Sequence, residues 1–80
     1  MSDIPARALK IIADTQRVAE DRVTIDTPFE ELNIDSMDAV NILFALENEF
    51  DITIPDEAAK QIRSIREMVE GVEKLVAEKG

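Results

Sequence analysis

Apolar residues recur every three or four positions through most of this chain, and that spacing constrains the fold more than any other feature. In a helical projection of residues 36–50, at about 100° per residue, five apolar residues fall on one side: Ala39, Ile42, Leu43, Leu46 and Phe50. The alternating stretch 51–55 is too short to form a sheet without a second strand, so we predict an extended link there. A chain of 80 residues buries only about 60% of its unfolded surface, which leaves a thin core. We predict a single all-α domain, residues 1–80.

Cap signals and apolar stripes divide this domain into four helices. They predict a four-helix bundle with three longer helices and one short third helix. The first is expected at about Ile4–Ala19 and the second at about Ser36–Phe50. The third is expected at about Asp56–Gln61, and the fourth follows a capping box of Ser64 and Glu67.

The connection between the first two predicted helices is long for a bundle, in which loops usually span about 2–8 residues. Within it, Thr27 and Glu30 have the spacing of a capping box around one further turn, with Pro28 at its first position. The apolar residues of this connection are expected to pack against the core: Val23, Ile25, Phe29 and Leu32.

Missing residue types narrow the possible chemistry. The chain has no cysteine and no histidine, which excludes disulfides, thiolate nucleophiles and serine–histidine catalysis within it. We therefore expect no enzyme and no bound metal, although the clustered acidic residues could hold divalent cations loosely. No apolar run is long enough to span a membrane, and no signal-peptide core is present, so a soluble cytoplasmic protein is expected. We also expect a monomer.

The net charge of −9 is concentrated in the middle of the chain. Residues 20–57 hold twelve of the eighteen acidic residues and a single base, Arg22. Such a stretch repels nucleic acid and anionic membranes, whereas it attracts basic patches on other proteins. The alternative is that the acidic surface serves only solubility.

Ser36 is the residue whose position needs an explanation. It follows Asp35, a natural N-cap, and precedes Asp38, which lies near the positive end of the helix dipole. A serine here could be nothing more than part of a cap. A helix N-terminus also favours a bound phosphate, and Ser36 has no neighbouring base to make it a nucleophile. If Ser36 reacts, an outside enzyme must activate it.

The outer face of the second helix is unusual because three apolar side chains are placed where a lone surface helix should be polar. We predict this face as a docking surface for a partner enzyme. It consists of Met37, Val40, Asn41, Phe44, Glu47 and Asn48.

Three motifs together resemble the acyl carrier proteins over nearly the whole chain. They are Asp35-Ser36-Met37 at the start of a helix, Glu47-Asn48-Glu49-Phe50 at its end, and Ile54-Pro55-Asp56-Glu57 beyond it. The family usually has glycine where Asn33 stands, and asparagine also tolerates a left-handed backbone. Met37 replaces the usual leucine, and Phe44 is bulkier than the usual aliphatic residue, which fits a specialised carrier.

The resemblance implies that Ser36, flanked by Asp35 and Met37, is the attachment point of 4′-phosphopantetheine. A phosphopantetheinyl transferase would transfer this group from coenzyme A. The thiol of the arm would then hold an acyl chain as a thioester for a ketosynthase, an acyltransferase or another acyl-handling enzyme. The implied pathway is fatty acid or specialised lipid biosynthesis, and the chain is expected to be a free-standing carrier.

The resemblance and the charge map together predict the residues that meet these partners. Acidic residues are expected to attract basic partners: Glu30, Asp35, Asp38, Glu47, Asp56 and Glu57. Apolar residues are expected to make the central contact: Met37, Val40, Phe44 and Ile62.

Three other functions stay open. A carrier of polyketide, aminoacyl or peptidyl cargo would share the fold and the arm. A non-carrier interaction module would use the acidic helix alone, but the EF-hand pattern is absent from residues 33–38. An enzyme would need carboxylate or lysine chemistry in a deep pocket, for which 80 residues leave little room.

Overall fold

The computed structural model describes residues 3–79, and all the regular structure within that range is helical. Three longer helices and one short third helix are present, as predicted, with no strand among the described residues. Their bounds are α1 Ile4–Gln16, α2 Ser36–Phe50, α3 Asp56–Gln61 and α4 Ile65–Lys79. Two short 3₁₀ turns, Glu20–Arg22 and Phe29–Leu32, interrupt the long connection from α1 to α2.

The core lies where α1 packs against both α2 and α4. Its largest fully buried side chains are Ile12, Ile42, Leu46, Ile65, Met68 and Val72. Burying each such side chain contributes about 1.5–3 kcal/mol to folding. The predicted core side of α2 is buried except for Ala39, which is half-buried.

The long connection is held against this core by its apolar residues, as predicted. Val23 and Leu32 are buried, and Ile25 and Phe29 are half-buried and pack against the core. Residues 52–55 form no helix and pair with no strand among the described residues, and Pro55 has extended backbone angles, as predicted. Asp51, predicted as part of this extended link, instead has a left-handed backbone.

Three segments end on a residue in the left-handed conformation that is not glycine: Arg17, Asn33 and Asp51, with φ of 59°, 56° and 53°. In each case the N–H of the following apolar residue bonds to a carbonyl five positions earlier, which closes a Schellman motif. The three bonds run from Val18 to Ala13, from Ile34 to Phe29 and from Ile52 to Glu47. The expectation that Asn33 could hold a left-handed turn is therefore confirmed.

This geometry corrects the predicted end of α1. The helix stops at Gln16 rather than Ala19, because the left-handed Arg17 turns the chain and the Val18 N–H bonds back to Ala13. The sequence contains no glycine here to signal the stop.

The capping box predicted at Thr27 is wrong, and the one predicted at Ser64 forms with a different partner for its glutamate. Thr27 caps no helix: its side chain is buried, and its Oγ1 accepts a hydrogen bond from the Thr24 N–H at 2.9 Å. Before α4, the Glu67 N–H donates to Ser64 Oγ at 3.1 Å, as predicted. The Glu67 carboxylate, however, accepts from the Arg63 N–H at 2.7 Å rather than from the N–H of Ser64.

Two cations from other helices hold the C-terminal end of α2. Arg7 of α1 bonds to the Glu49 carboxylate at 2.8 Å and lies over the Phe50 ring, 4.5 Å from its centroid. Lys79 of α4 donates to the Phe50 carbonyl at 3.3 Å and to the Asp51 carboxylate at 3.0 Å. These positive charges stabilise the negative, C-terminal end of the α2 dipole.

Candidate attachment site and docking face

Ser36 is the first residue of α2, and its side chain is exposed. The predicted cap is present: Asp35 accepts a hydrogen bond from the Asp38 N–H at 2.8 Å. Asp38 in turn accepts from the Asp35 N–H at 3.4 Å, which completes a capping box. The two aspartates on either side of Ser36 therefore fix the backbone at the start of α2, where the serine is attached.

The local chemistry fits an attached phosphate better than a nucleophile. The Ser36 hydroxyl makes no hydrogen bond with any described residue, so no base is in place to activate it. The N–H groups of Ser36 and Met37 have no acceptor among residues 3–79, and a helix start orients such donors toward an anion. A phosphodiester on Ser36 would thus find open donors and free access for an outside enzyme.

A groove of about 390 Å³ opens beside Ser36 between α2 and α3. Most of its lining is apolar, from Ala39, Val40 and Leu43 of α2 and from Ala59 of α3, with Ile62 where α3 ends. Two charged residues of α3, Asp56 and Lys60, also line it. The structure thus brings three of the predicted functional residues to the serine: Val40, Asp56 and Ile62.

The predicted docking face of α2 carries every large apolar side chain that is exposed within residues 3–79. Met37 is 75% exposed, Val40 49% and Phe44 60%. Their spacing of three and four residues places them in one stripe that begins one position after Ser36. Asn41 and Asn48 are exposed on the same helix.

Glu47 has a structural partner that the sequence did not indicate. It is half-buried, and its Oε2 accepts a hydrogen bond from the Ile54 N–H at 2.6 Å. This bond holds the extended link against α2, beside a second groove of about 320 Å³ that Phe44 and Asp56 also line. A role for Glu47 in docking stays a prediction.

The other predicted acidic residues are exposed but spread apart along the chain. Glu30 lies on the second 3₁₀ turn, and Glu57 follows Asp56 in the first turn of α3. None of the three carboxylates has a hydrogen-bond or ion-pair partner among the described residues. Within residues 3–79 no three acidic side chains converge closely enough to hold a metal ion.

Sequence reasoning missed Lys60, which is the one cation among residues 3–79 that lines the groove beside Ser36. A signal was available, because Lys60 stands four residues after Asp56 and therefore shares its face of α3. This spacing places Lys60 beside Ser36 only once the structure shows that this face of α3 turns toward Ser36.

A third groove, of about 410 Å³, lies between α3 and α4. Ile54, Ile62 and Leu75 line it, together with Gly71, whose position leaves the surface of α4 open. Within the described residues no helix combines the length and the apolar character needed to cross a membrane.

Comparison with known proteins agrees with this geometry. Residues 6–72 match the family model described as a phosphopantetheine attachment site. The fold is similar to that of an acyl carrier protein from Thermotoga maritima, at 28% identity and a TM-score of 0.67, covering 91% of this chain and 94% of that one.

A second similar structure is the hexanoyl acyl carrier protein of the actinorhodin polyketide synthase from Streptomyces coelicolor. It has 26% identity and a TM-score of 0.73, over all of this chain and 94% of that one. The acetyl form of the actinorhodin carrier has 24% identity and a TM-score of 0.68 at the same coverage, and it adds to the likeness of fold alone. From the family match over residues 6–72 and the shared helical fold, this chain belongs to the acyl carrier proteins, the family that carries phosphopantetheine.

Proposed function

We propose that this protein holds acyl groups as thioesters on a 4′-phosphopantetheine arm attached to Ser36, and that it has no catalytic activity of its own. The observation that carries the proposal is the exposed, unpaired Ser36 hydroxyl at the capped start of α2. The arm, when bound, supplies the thiol that a chain without cysteine lacks.

The residues around Ser36 have separable roles in this function. The Asp35–Asp38 capping box orients the serine, and the open N–H groups of Ser36 and Met37 favour the phosphate. The apolar groove beside Ser36 offers an acyl chain a place to fold back between partners.

Mass spectrometry tests the attachment directly. Incubation with coenzyme A and a broad-specificity phosphopantetheinyl transferase should add one phosphopantetheinyl group to the protein. Ser36→Ala should abolish the addition, whereas Ser64→Ala, which alters the serine that caps α4, should retain it. Modification of Ser36→Ala, or none of the unchanged protein by active transferase, would contradict the proposal.

We further propose that partner enzymes dock on the exposed stripe of Met37, Val40 and Phe44, with acidic residues raising the rate of encounter. Exposed apolar side chains on an otherwise charged protein are the contacts that set residence time, while rim charges act on association. The partners are a phosphopantetheinyl transferase and acyl-handling enzymes such as a ketosynthase or an acyltransferase. Fatty acid or specialised lipid biosynthesis in the cytoplasm is the proposed setting.

Surface plasmon resonance with the transferase can separate these two contributions. Phe44→Ala should raise the dissociation rate about tenfold, because truncating a central aromatic contact typically costs more than 1 kcal/mol. Glu57→Gln should lower the association rate at low salt, whereas Glu73→Gln, the same change on the exposed surface of α4, should not. Equal rates for all three variants would place the interface elsewhere.

A polyketide carrier is the second candidate, favoured by the TM-score of 0.73 with the actinorhodin carrier. The two candidates differ only in cargo and partner. Mass spectrometry of the protein isolated from its own host would distinguish them, because it identifies the group on the arm. A saturated acyl chain would indicate lipid synthesis, and a poly-β-keto chain would indicate polyketide synthesis.

A further inference from the structure

Lys60 lies in the same groove as Ser36 and is not engaged by any acidic residue. It is exposed near the end of the short helix α3, and its Nζ forms no ion pair with a described carboxylate. Asp56, one turn earlier on α3, lines the groove as well but does not pair with it. The ammonium group is therefore free to meet an anion that enters the groove.

Three acidic side chains near Ser36 oppose an anion there, although the open N–H groups of Ser36 and Met37 favour it. Asp35 and Asp38 flank the serine in sequence, and Asp56 lines the groove from α3. Like charges repel one another, and Lys60 is the one positive residue among the described residues that line the groove. A phosphodiester at Ser36 consequently interacts more favourably with Lys60 than with any other side chain of the groove.

We propose that the Lys60 ammonium pairs with the phosphodiester of the arm and keeps the arm against α3. This inference rests on the proposed attachment at Ser36. A lysine suits the role because its compact charge on a flexible stem binds phosphate without a fixed geometry. Because the pair is exposed, it restrains the arm without locking it, so a partner enzyme can still draw the arm away.

Phosphorus NMR of the arm-bearing protein tests this pairing without any activity assay. The phosphodiester gives the single phosphorus signal of the protein, and its chemical shift should change as salt is raised from about 0.02 M to about 0.5 M, because screening weakens the pair. In Lys60→Gln we expect this salt-dependent change to shrink about twofold or more, as for the loss of an exposed ion pair.

Two further variants make the result specific. Lys60→Arg should retain the salt response, because it keeps the charge. Lys10→Gln removes the same charge from an exposed position on α1 that lines none of the three grooves, and it should behave as the unchanged protein. The same salt response in Lys60→Gln and Lys10→Gln would overturn the proposal. A failure of the transferase to add the arm would instead count against attachment at Ser36.

Discussion

Replacing Gly71 with alanine should stabilise this protein. Gly71 lies in the interior of α4, and a Cβ added there would meet nothing within 4 Å. The substitution therefore causes no clash and gains no packing, which leaves the helix propensity and the lower entropy of the unfolded chain. Glycine is about 0.8–1.0 kcal/mol less favourable than alanine inside a helix, so unfolding should become harder by about 1 kcal/mol.

Urea unfolding followed by far-ultraviolet circular dichroism measures this change. With a slope of about 1 kcal/mol/M, expected for a small domain, the midpoint should rise by roughly 1 M at an unchanged slope. The melting temperature should rise by about 4–8 °C. The opposite substitution in the same helix, Ala77→Gly at an exposed position, should lower the midpoint, though by less because the last turn frays.

The result that would refute this reasoning is an unchanged or lower midpoint for Gly71→Ala. Such a result would mean that the groove between α3 and α4 closes over Gly71 in solution, so that the added methyl group meets a neighbour. Because Gly71 lies well away from α2 in sequence and lines no groove with Ser36, the variant should still accept the arm.

Four further substitutions, at three positions, test the contacts around α2, each by the same urea assay. Asp35→Ala should cost about 1 kcal/mol through loss of the cap; no loss would mean that the capping box does not hold the start of α2. Glu47→Gln should leave stability nearly unchanged, because an amide oxygen can still accept from the Ile54 N–H, while Glu47→Ala should cost about 1–3 kcal/mol; equal costs would assign the effect to charge. Arg7→Ala should cost about 1 kcal/mol, since it removes an exposed ion pair and the contact with the Phe50 ring; the loss should shrink at high salt, and a salt-independent loss would point to packing instead.

The parts of this molecule that could be predicted from sequence are those that depend on neighbours along the chain. The start of α2 follows from Asp35 as a cap, and its buried side follows from the helical spacing of apolar residues. The same spacing identified Met37 and Phe44 as apolar residues with no place in the core. Neither inference needs knowledge of how the helices pack.

Other features were hidden because they depend on distant residues or on unusual backbone angles. The end of α1 depends on Arg17 adopting a left-handed conformation that sequence rules assign to glycine. Thr27 has the spacing of a cap, yet the packing of its loop turns its hydroxyl inward to Thr24. The proximity of Lys60 to Ser36 arises only when α3 folds against α2.

The two ends of α2 are secured in different ways, and dissolved ions should therefore act on them unequally. At Ser36 the helix is fixed by hydrogen bonds between residues three positions apart, whereas at Phe50 it depends on charges carried by α1 and α4. Concentrated electrolyte weakens the second kind of contact more than the first. Amide exchange should thus quicken from the Phe50 end of the helix inward, while the turn that presents the serine stays ordered under conditions that loosen the opposite end.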